Sequence, residues 1–381
     1  MGEKACALAS RCGGCQYMGM PYERQLVLKE EKVRGLFPKY KERIEPIIGM
    51  EDPYHYRCKV QATFGLQKGR VVSGTYEPAS HRLVAVEDCL IEDEQADRIL
   101  ATIRALMISF KLMPYDEDHR RGVLRHVLIR KGYVSGEILV VLVTGSYEFP
   151  GKNHFVKALC HAHPEIRTVI HNVNGRKTSM ILGPQQKTIM GPGYITDRLM
   201  GHTFRISAAS FYQVNPPQTE RLYAAALQML QLSGRESVLD AYCGTGTIGI
   251  LAAQKAGSVI GVELNRQAVQ DAIVNAKLNQ VRNIRFVCED AGRFLQRAAA
   301  QQAVPQVVIM DPPRGGSDEA FLSALAAASS EKIVYISCNP ETQTRDTAYL
   351  VKRGYEIKRI QPVDLFPMTE HVETIVLLSH N

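Results

Sequence analysis

The chain has 381 residues, 45% of them hydrophobic and 22% charged, which suggests two or three folded domains and excludes a disordered chain or a fibre. No segment approaches 18 uninterrupted apolar residues, which excludes a transmembrane helix, and residues 1–15 lack the apolar core of a signal peptide, so a reducing, cytoplasmic compartment is expected. The formal charge is +7, and residues 1–200 hold 29 Lys+Arg against 22 Asp+Glu while the remainder holds 17 of each. Such a one-sided surplus fits a polyanion bound by the front of the molecule, and equally fits simple solubility.

Three of nine cysteines open the chain as Cys6-x5-Cys12-x2-Cys15, and Cys89 follows in Val86-Glu-Asp-Cys89. Four thiolates suit zinc or an iron-sulfur cluster, and a C-x2-C pair suits redox chemistry; spacing leaves the three open. Tyr22 to Phe37 has apolar residues at helical spacing and ends at Pro38, which predicts a helix. Lys59–Phe64 and Arg82–Val86 read as short strands, and Val123–Arg130 with Gly136–Thr144 as a β-ribbon around Lys131-Gly132. The predicted organisation is an α+β region over residues 1–90, a second over 91–205, and an α/β domain over 206–381.

From about Ser233 apolar strands alternate with helices, the pattern of a doubly wound parallel sheet. Its strands are expected at Ser237–Tyr242, Val259–Leu264, Ile284–Cys288, Val307–Met310, Ile333–Ser337, Glu356–Ile360 and Thr374–Ser379. The first runs into Asp240-Ala-Tyr-Cys-Gly-Thr-Gly-Thr-Ile-Gly249 and the second ends at Glu263. Glycines let a backbone approach a ligand, and a carboxylate some twenty residues on can accept both hydrogen bonds of a ribose diol. A dinucleotide and S-adenosylmethionine fit this spacing equally well. Asp290, after the third strand, could meet an adenine amino group or cap the next helix.

Two further motifs fall on the same carboxyl edge: Asp311-Pro-Pro-Arg-Gly-Gly316 after the fourth strand and Ser337-Cys-Asn-Pro-Glu-Thr342 after the fifth. Arg314 could hold a phosphate or pair with an acid. Cys338 precedes a helix whose dipole is expected to lower its thiol pKa, the environment of a nucleophile. Between the last two strands, Asp364-Leu-Phe-Pro-Met-Thr-Glu-His-Val-Glu373 offers Glu370, His371 and Glu373 as bases. Addition of a thiolate to C6 of uracil makes C5 nucleophilic, and a base must then remove the C5 proton.

Together with Phe211-Tyr-Gln-Val-Asn215, the stretches Asp311-Pro-Pro-Arg-Gly, Ser337-Cys-Asn-Pro-Glu-Thr and Phe366-Pro-Met-Thr-Glu-His-Val-Glu373 resemble the signatures of the RNA 5-methyluridine (uracil-C5) methyltransferases over nearly the whole chain. The resemblance implies a Rossmann-like class I methyltransferase sheet, Cys338 as the nucleophile on C6 and Glu373 as the base. It places Gln213, Tyr242, Gly244, Thr247, Glu263, Asp290 and Asp311 at S-adenosylmethionine contacts. Met368 departs from the His, Gln or Tyr usual at its position. The resemblance favours a 4Fe-4S cluster on Cys6, Cys12, Cys15 and Cys89, as in the family's 23S rRNA-modifying members, and so structured RNA, ribosomal before transfer RNA, as partner. Members of that branch generally begin with a TRAM domain, and this chain starts almost at the cluster cysteines. RNA contacts are therefore expected from Arg57, Lys59, Lys68, Arg70, Arg120, Arg121, Arg125, Arg130 and Lys131, with Phe211 and Tyr133 as stacking platforms. The rivals are an NAD-dependent oxidoreductase, a non-catalytic iron-sulfur RNA-binding protein and a DNA cytosine-C5 methyltransferase. The first two leave Cys338 and Glu373 unexplained, and the third places its nucleophile in a Pro-Cys loop absent here.

Overall fold

The computed structural model describes residues 4–380. Two compact units emerge: one takes the chain up to Met20, Pro53–Arg198 and Arg205–Ala209, the other Pro21–Asp52, Leu199–Phe204 and the chain from Ser210 on. In chain order the elements begin with helices α1 (Ala9–Cys12) and α2 (Tyr22–Leu36). Next come β1 (Lys59–Gln67), β2 (Arg70–Tyr76), β3 (Leu83–Ala85), α3 (Glu94–Ser109), β4 (Leu124–Lys131), β5 (Ile138–Thr144), α4 (Lys152–Ala162), β6 (Ile166–Val173) and β7 (Gln185–Met190). A two-stranded hairpin, β8 (Tyr194–Leu199) and β9 (His202–Ser207), follows.

The first unit is built on a seven-stranded sheet of order β3-β2-β1-β4-β5-β6-β7, in which only β5 and β6 run parallel. Val60, Ala62 and Phe64 alternate onto the face that α3 and α4 cover with Ile99, Ile103, Met107, Phe155 and Leu159. The central strand β5, Ile-Leu-Val-Val-Leu-Val-Thr, is buried at every position, as an uninterrupted apolar run requires. The boundary expected at residue 90 therefore falls inside one sheet, since β1–β3 lie before it and β4–β7 after it.

The second unit continues with α5 (Pro216–Leu230), β10 (Ser237–Ala241), α6 (Thr247–Ala252), β11 (Ser258–Glu263), α7 (Arg266–Leu278), β12 (Ile284–Cys288), α8 (Ala291–Ala300) and β13 (Val307–Met310). It ends with α9 (Glu319–Ala328), β14 (Lys332–Ser337), α10 (Pro340–Val351), β15 (Tyr355–Val363) and β16 (Glu373–His380). The sheet order is β12-β11-β10-β13-β14-β16-β15. β10 to β14 are parallel, as expected, but β16 is antiparallel to both its neighbours. The link between β15 and β16, residues 364–372, is too short for the crossover a parallel pair needs, so the chain must turn back.

Helix α2 and the segment after it also belong to this second unit, contrary to the expected assignment of residues 1–90. Ile44 and Ile48 bridge to Ile360 and Val363 beside β15. Val33, Phe37 and Ile44 join the core formed by Leu239, Val308, Ile333 and Val376.

Candidate active site

Parallel strands bring the ends of β10, β11, β12, β13 and β14 to one edge of the sheet, the edge at which open α/β sheets bind ligands. The antiparallel β16 adds its beginning to that edge. Its pairing with β14 runs through Ser337↔Thr374 and Ile336↔Ile375. Carried one step further, that register sets Cys338 opposite Glu373.

Residue types around this pair form one charged cluster. Arg314 donates a hydrogen bond to the Cys338 sulfur, and Glu373 and Asp311 face the same thiol. Burial, with Glu373 next in weight, pushes that thiol up to about 11. The lowering expected from the helix dipole is thus reversed, because a half-buried sulfur beside two carboxylates loses more from desolvation and like charge than a helix end returns. Glu373, 3% exposed, is raised well above the ordinary carboxylate range by burial and by Asp311, with Arg314 opposing. Asp311, half-buried at the end of β13, is pushed up by burial too.

Around the glycine loop, Tyr242 takes a left-handed φ of +64° and its ring packs on Phe321 at 5.2 Å. Gly246 (φ +79°) enters α6 so closely that a Cβ would stand 2.8 Å from the Phe286 ring, whereas a Cβ on Gly244 (φ +53°) would meet nothing within 4 Å. The open side of the loop is therefore at Gly244, where a ligand can lie against the backbone. Glu263 accepts from the amides of Gly244 (3.1 Å) and Asn265 (2.8 Å), so both its oxygens also brace the loop. Asp290 caps α8, accepting from the Arg293 amide at 2.9 Å, the bland alternative among its two expected roles. Thr247 begins α6 and lies 3.3 Å from Thr245, oxygen to oxygen. Gln213, 9% exposed, shares a hydrogen bond with the Tyr223 hydroxyl.

Sequence reasoning missed two of these neighbours. Tyr223, on the apolar face of α5, is buried beside Asp311, Asp240 and Glu373, which together with burial drive its hydroxyl strongly up. Asp240 lies wholly buried under the loop; its Oδ2 would be 2.6 Å from a Cβ on Gly249, so only glycine admits it. Burial, Asp311 and Glu263 push its carboxyl well above the usual range. An acid inside a strand otherwise made of apolar residues was the available signal.

In the first unit, Cys6, Cys12, Cys15 and Cys89 line a single cavity. Burial pushes Cys15 up to about 12, with Cys12 and Cys6 adding to it, and pushes Cys89 up to about 12 with Glu92 adding. The Cys89 amide donates to Asp97 on α3 at 2.9 Å. Among the described residues no three His, Cys, Asp or Glu side chains form a ready coordination sphere; what the four cysteines share is a thiol-lined cavity. Of the remaining thiols Cys58 and Cys243 are buried and Cys288 is exposed.

The cations expected to meet RNA divide. Arg125 is 2% exposed; it pairs with Glu117 at 3.0 Å and donates to the carbonyls of Asn174 and Arg176, so it holds the fold and is corrected from contact to framework. Arg130 is buried, and Lys131 pairs with Asp93 at 2.7 Å. Phe211 and Tyr133 are 65% and 55% exposed, as stacking would require.

An open sheet with a glycine loop after its central strand β10 and one reversed strand inserted next to the edge is the class I methyltransferase architecture. The chain belongs to the tRNA (uracil-5-)-methyltransferase family, whose profile matches residues 21–381. An RNA methyltransferase of Halalkalibacterium halodurans, named as uncharacterized, is 40% identical over 381 residues, covering 99% of this chain and 83% of that protein. One of Clostridium acetobutylicum, named likewise, is 41% identical over 383 residues with the same coverages. The crystal structure of Pyrococcus abyssi tRNA (uracil-54, C5)-methyltransferase in complex with S-adenosyl-L-homocysteine superimposes with a TM-score of 0.78 at 24% identity, over 96% of this chain and 85% of that one.

Proposed function

We propose that this protein methylates C5 of a uridine in structured RNA, with S-adenosylmethionine as methyl donor and Cys338 as covalent nucleophile. The observation that carries the reading is the β14–β16 register, which sets a cysteine opposite a buried glutamate beside Asp311. The glycine loop, open at Gly244, and the carboxylates of Glu263, Asp290 and Asp311 along the sheet edge are the residues that would hold S-adenosylmethionine, with Gln213, Tyr242 and Thr247 beside them. When bound, that cofactor supplies an electrophilic methyl group.

The chain's own residues then act in order. Cys338 loses its S–H proton to solvent and forms the Sγ–C6 bond, and the C5=C6 pair moves toward O4 as an enolate. C5 takes the methyl group. Glu373, made more basic by its burial, accepts the C5 proton; the C5–H pair restores C5=C6 as the C6–Sγ bond breaks and the thiolate leaves. The target base must leave its stack to reach a sheet edge, at a cost of a few kcal/mol.

The four cysteines of the first unit fit a 4Fe-4S cluster by their donor chemistry and by sharing one cavity, and the cluster points to ribosomal before transfer RNA as substrate. The cytoplasm, where rRNA is modified, is the corresponding compartment. The deciding experiment is Glu373→Gln mixed with S-adenosylmethionine and RNA. It should accumulate a slow-migrating protein-RNA species carrying the new methyl group, because elimination needs the base; Cys338→Ala should give neither adduct nor product. Absence of the adduct with Glu373→Gln would reject the assignment of base. Mapping 5-methyluridine in ribosomal and transfer RNA from cells with and without the gene then names the substrate.

A further inference from the structure

We propose that Arg314 is itself a catalytic residue, the cation that stabilises the Cys338 thiolate before it adds to the base, and that the His371 ring holds the guanidinium in place for this. The inference rests on Cys338 as nucleophile and assigns the group that makes its ionisation possible.

The loop after β13 is tied to the residues that flank the cysteine. The Arg314 carbonyl accepts from Asn339 Nδ2 at 3.0 Å and from Thr342 Oγ1 at 3.3 Å. Asn339 is the residue next to Cys338 and the cap of α10, so the backbone of the arginine and the backbone of the cysteine are held in one frame. From that frame the guanidinium donates to the Cys338 sulfur. Its Nη2 also lies 3.0 Å from both Nδ1 and Nε2 of His371. A point equidistant from both ring nitrogens at that range stands over the face of the imidazole, where a cation is drawn to a neutral ring.

Charge around the sulfur explains why such a group is needed. Glu373 on β16 and Asp311 at the end of β13 both disfavour a thiolate, as burial does, and Arg314 is the one cation acting on it in the opposite sense. His371 is kept neutral by burial and by Arg314 itself, with Lys32 and Lys29 acting the same way and Glu370 against them. A neutral ring therefore positions the cation without competing for it as a like charge. Ionisation itself is a simple proton loss: the S–H bond breaks, the proton passes to water or buffer, and the electron pair stays on sulfur beside the guanidinium.

The test reads the thiol directly, in the full chain without RNA. Alkylation of Cys338 by iodoacetamide is followed between pH 7 and 11 by mass spectrometry of the peptide that carries it. Removing the cation with Arg314→Gln should slow alkylation at pH 8 by roughly tenfold or more, since the thiolate fraction falls tenfold for each unit the thiol rises. Arg314→Lys should recover part of the rate, and His371→Ala should fall between wild type and Arg314→Gln. Circular dichroism and S-adenosylhomocysteine binding of each variant separate this from misfolding, and Arg314→Lys serves if Arg314→Gln does not fold. An unchanged alkylation profile in folded Arg314→Gln overturns the inference, and the nucleophile reading survives if Glu373→Gln still gives its adduct. A slowed profile with no adduct from Glu373→Gln supports the Arg314–Cys338 pairing and rejects the covalent reading instead.

Discussion

The Lys29 ammonium on α2 meets the Asp364 carboxylate at 2.6 Å, with both side chains fully buried. Tyr22 donates to the second carboxylate oxygen at 2.9 Å, and Lys29 also reaches the Phe366 carbonyl at 3.0 Å. On the same helix Gln25 accepts from the Met368 amide at 3.0 Å. The loop that delivers Glu373 to the sheet edge is thus clamped by the helix from the other end of the chain. Removing one member leaves a buried charge alone, so Lys29→Met should lower unfolding stability by about 3–5 kcal/mol. Adding Asp364→Leu to it should recover most of the loss, because two apolar groups replace a desolvated pair. Urea denaturation of both variants checks this, and a loss below about 1 kcal/mol for the single change would show the pair does not anchor the loop.

That clamp also marks where the sequence stopped being legible. The alternation of strands and helices after Ser233 is plain because each apolar run is one strand thick, and the strands fall within a residue or two of expectation. Helical periodicity, however, assigns Gln25 and Lys29 to the outward face of α2, and both are buried because a polar partner waits inside. The motifs around Cys338 and Glu373 were visible, but their opposition depends on β16 inserting in reverse between β14 and β15, which no local pattern encodes. The direction of the Cys338 shift was misjudged for a related reason: a helix end can be read from Asn339-Pro340, and the burial and facing carboxylates that outweigh it cannot.

The two loop glycines should respond in opposite ways to the same substitution. Gly246→Ala adds a Cβ 2.8 Å from the Phe286 ring and 3.0 Å from Ala272 Cβ in a left-handed backbone, so it should destabilise the fold by well over the ~1 kcal/mol of left-handed strain alone. Gly244→Ala carries only that strain, since its Cβ points to open space, but the space is where the cofactor would lie. Thermal melts and S-adenosylhomocysteine titration of both variants should therefore cross, Gly246→Ala losing more in melting temperature and Gly244→Ala more in affinity. Equal affinity for Gly244→Ala and wild type would move the ligand away from this side of the loop.

Acid should loosen the first unit through His126. Its ring on β4 faces Thr63 of β1, with Nδ1 3.1 Å from the hydroxyl, and burial with the neighbouring Arg125 lowers it to about 3. The unfolded chain, with an ordinary value near 6.5, binds more protons than the folded one between those limits. Stability from this residue is thus intact above about pH 6.5 and falls by up to about 1.4 kcal/mol per pH unit as pH drops toward 3. Urea midpoints measured across pH 4 to 7 on wild type and His126→Asn should show the variant with the shallower dependence.

Asp197 on β8 governs the tip of the β-ribbon. Wholly buried, its carboxylate accepts from the amides of Tyr133 (2.9 Å), Val134 (2.9 Å) and Ser135 (3.2 Å), and so freezes the turn that holds Tyr133 out to solvent. Three amides lose their acceptor in Asp197→Ala, and a charge-assisted bond of this kind contributes about 1.5–3 kcal/mol. Hydrogen exchange at residues 133–135 should then accelerate sharply, while Asp197→Asn, which keeps one acceptor oxygen, should accelerate it less. If Tyr133 stacks on a base, the alanine variant should also bind RNA more weakly with unchanged S-adenosylhomocysteine affinity, because a stacking ring on a mobile turn must be ordered anew at each encounter. Faster exchange with unaltered RNA binding would leave the turn a structural device and take Tyr133 out of the RNA surface.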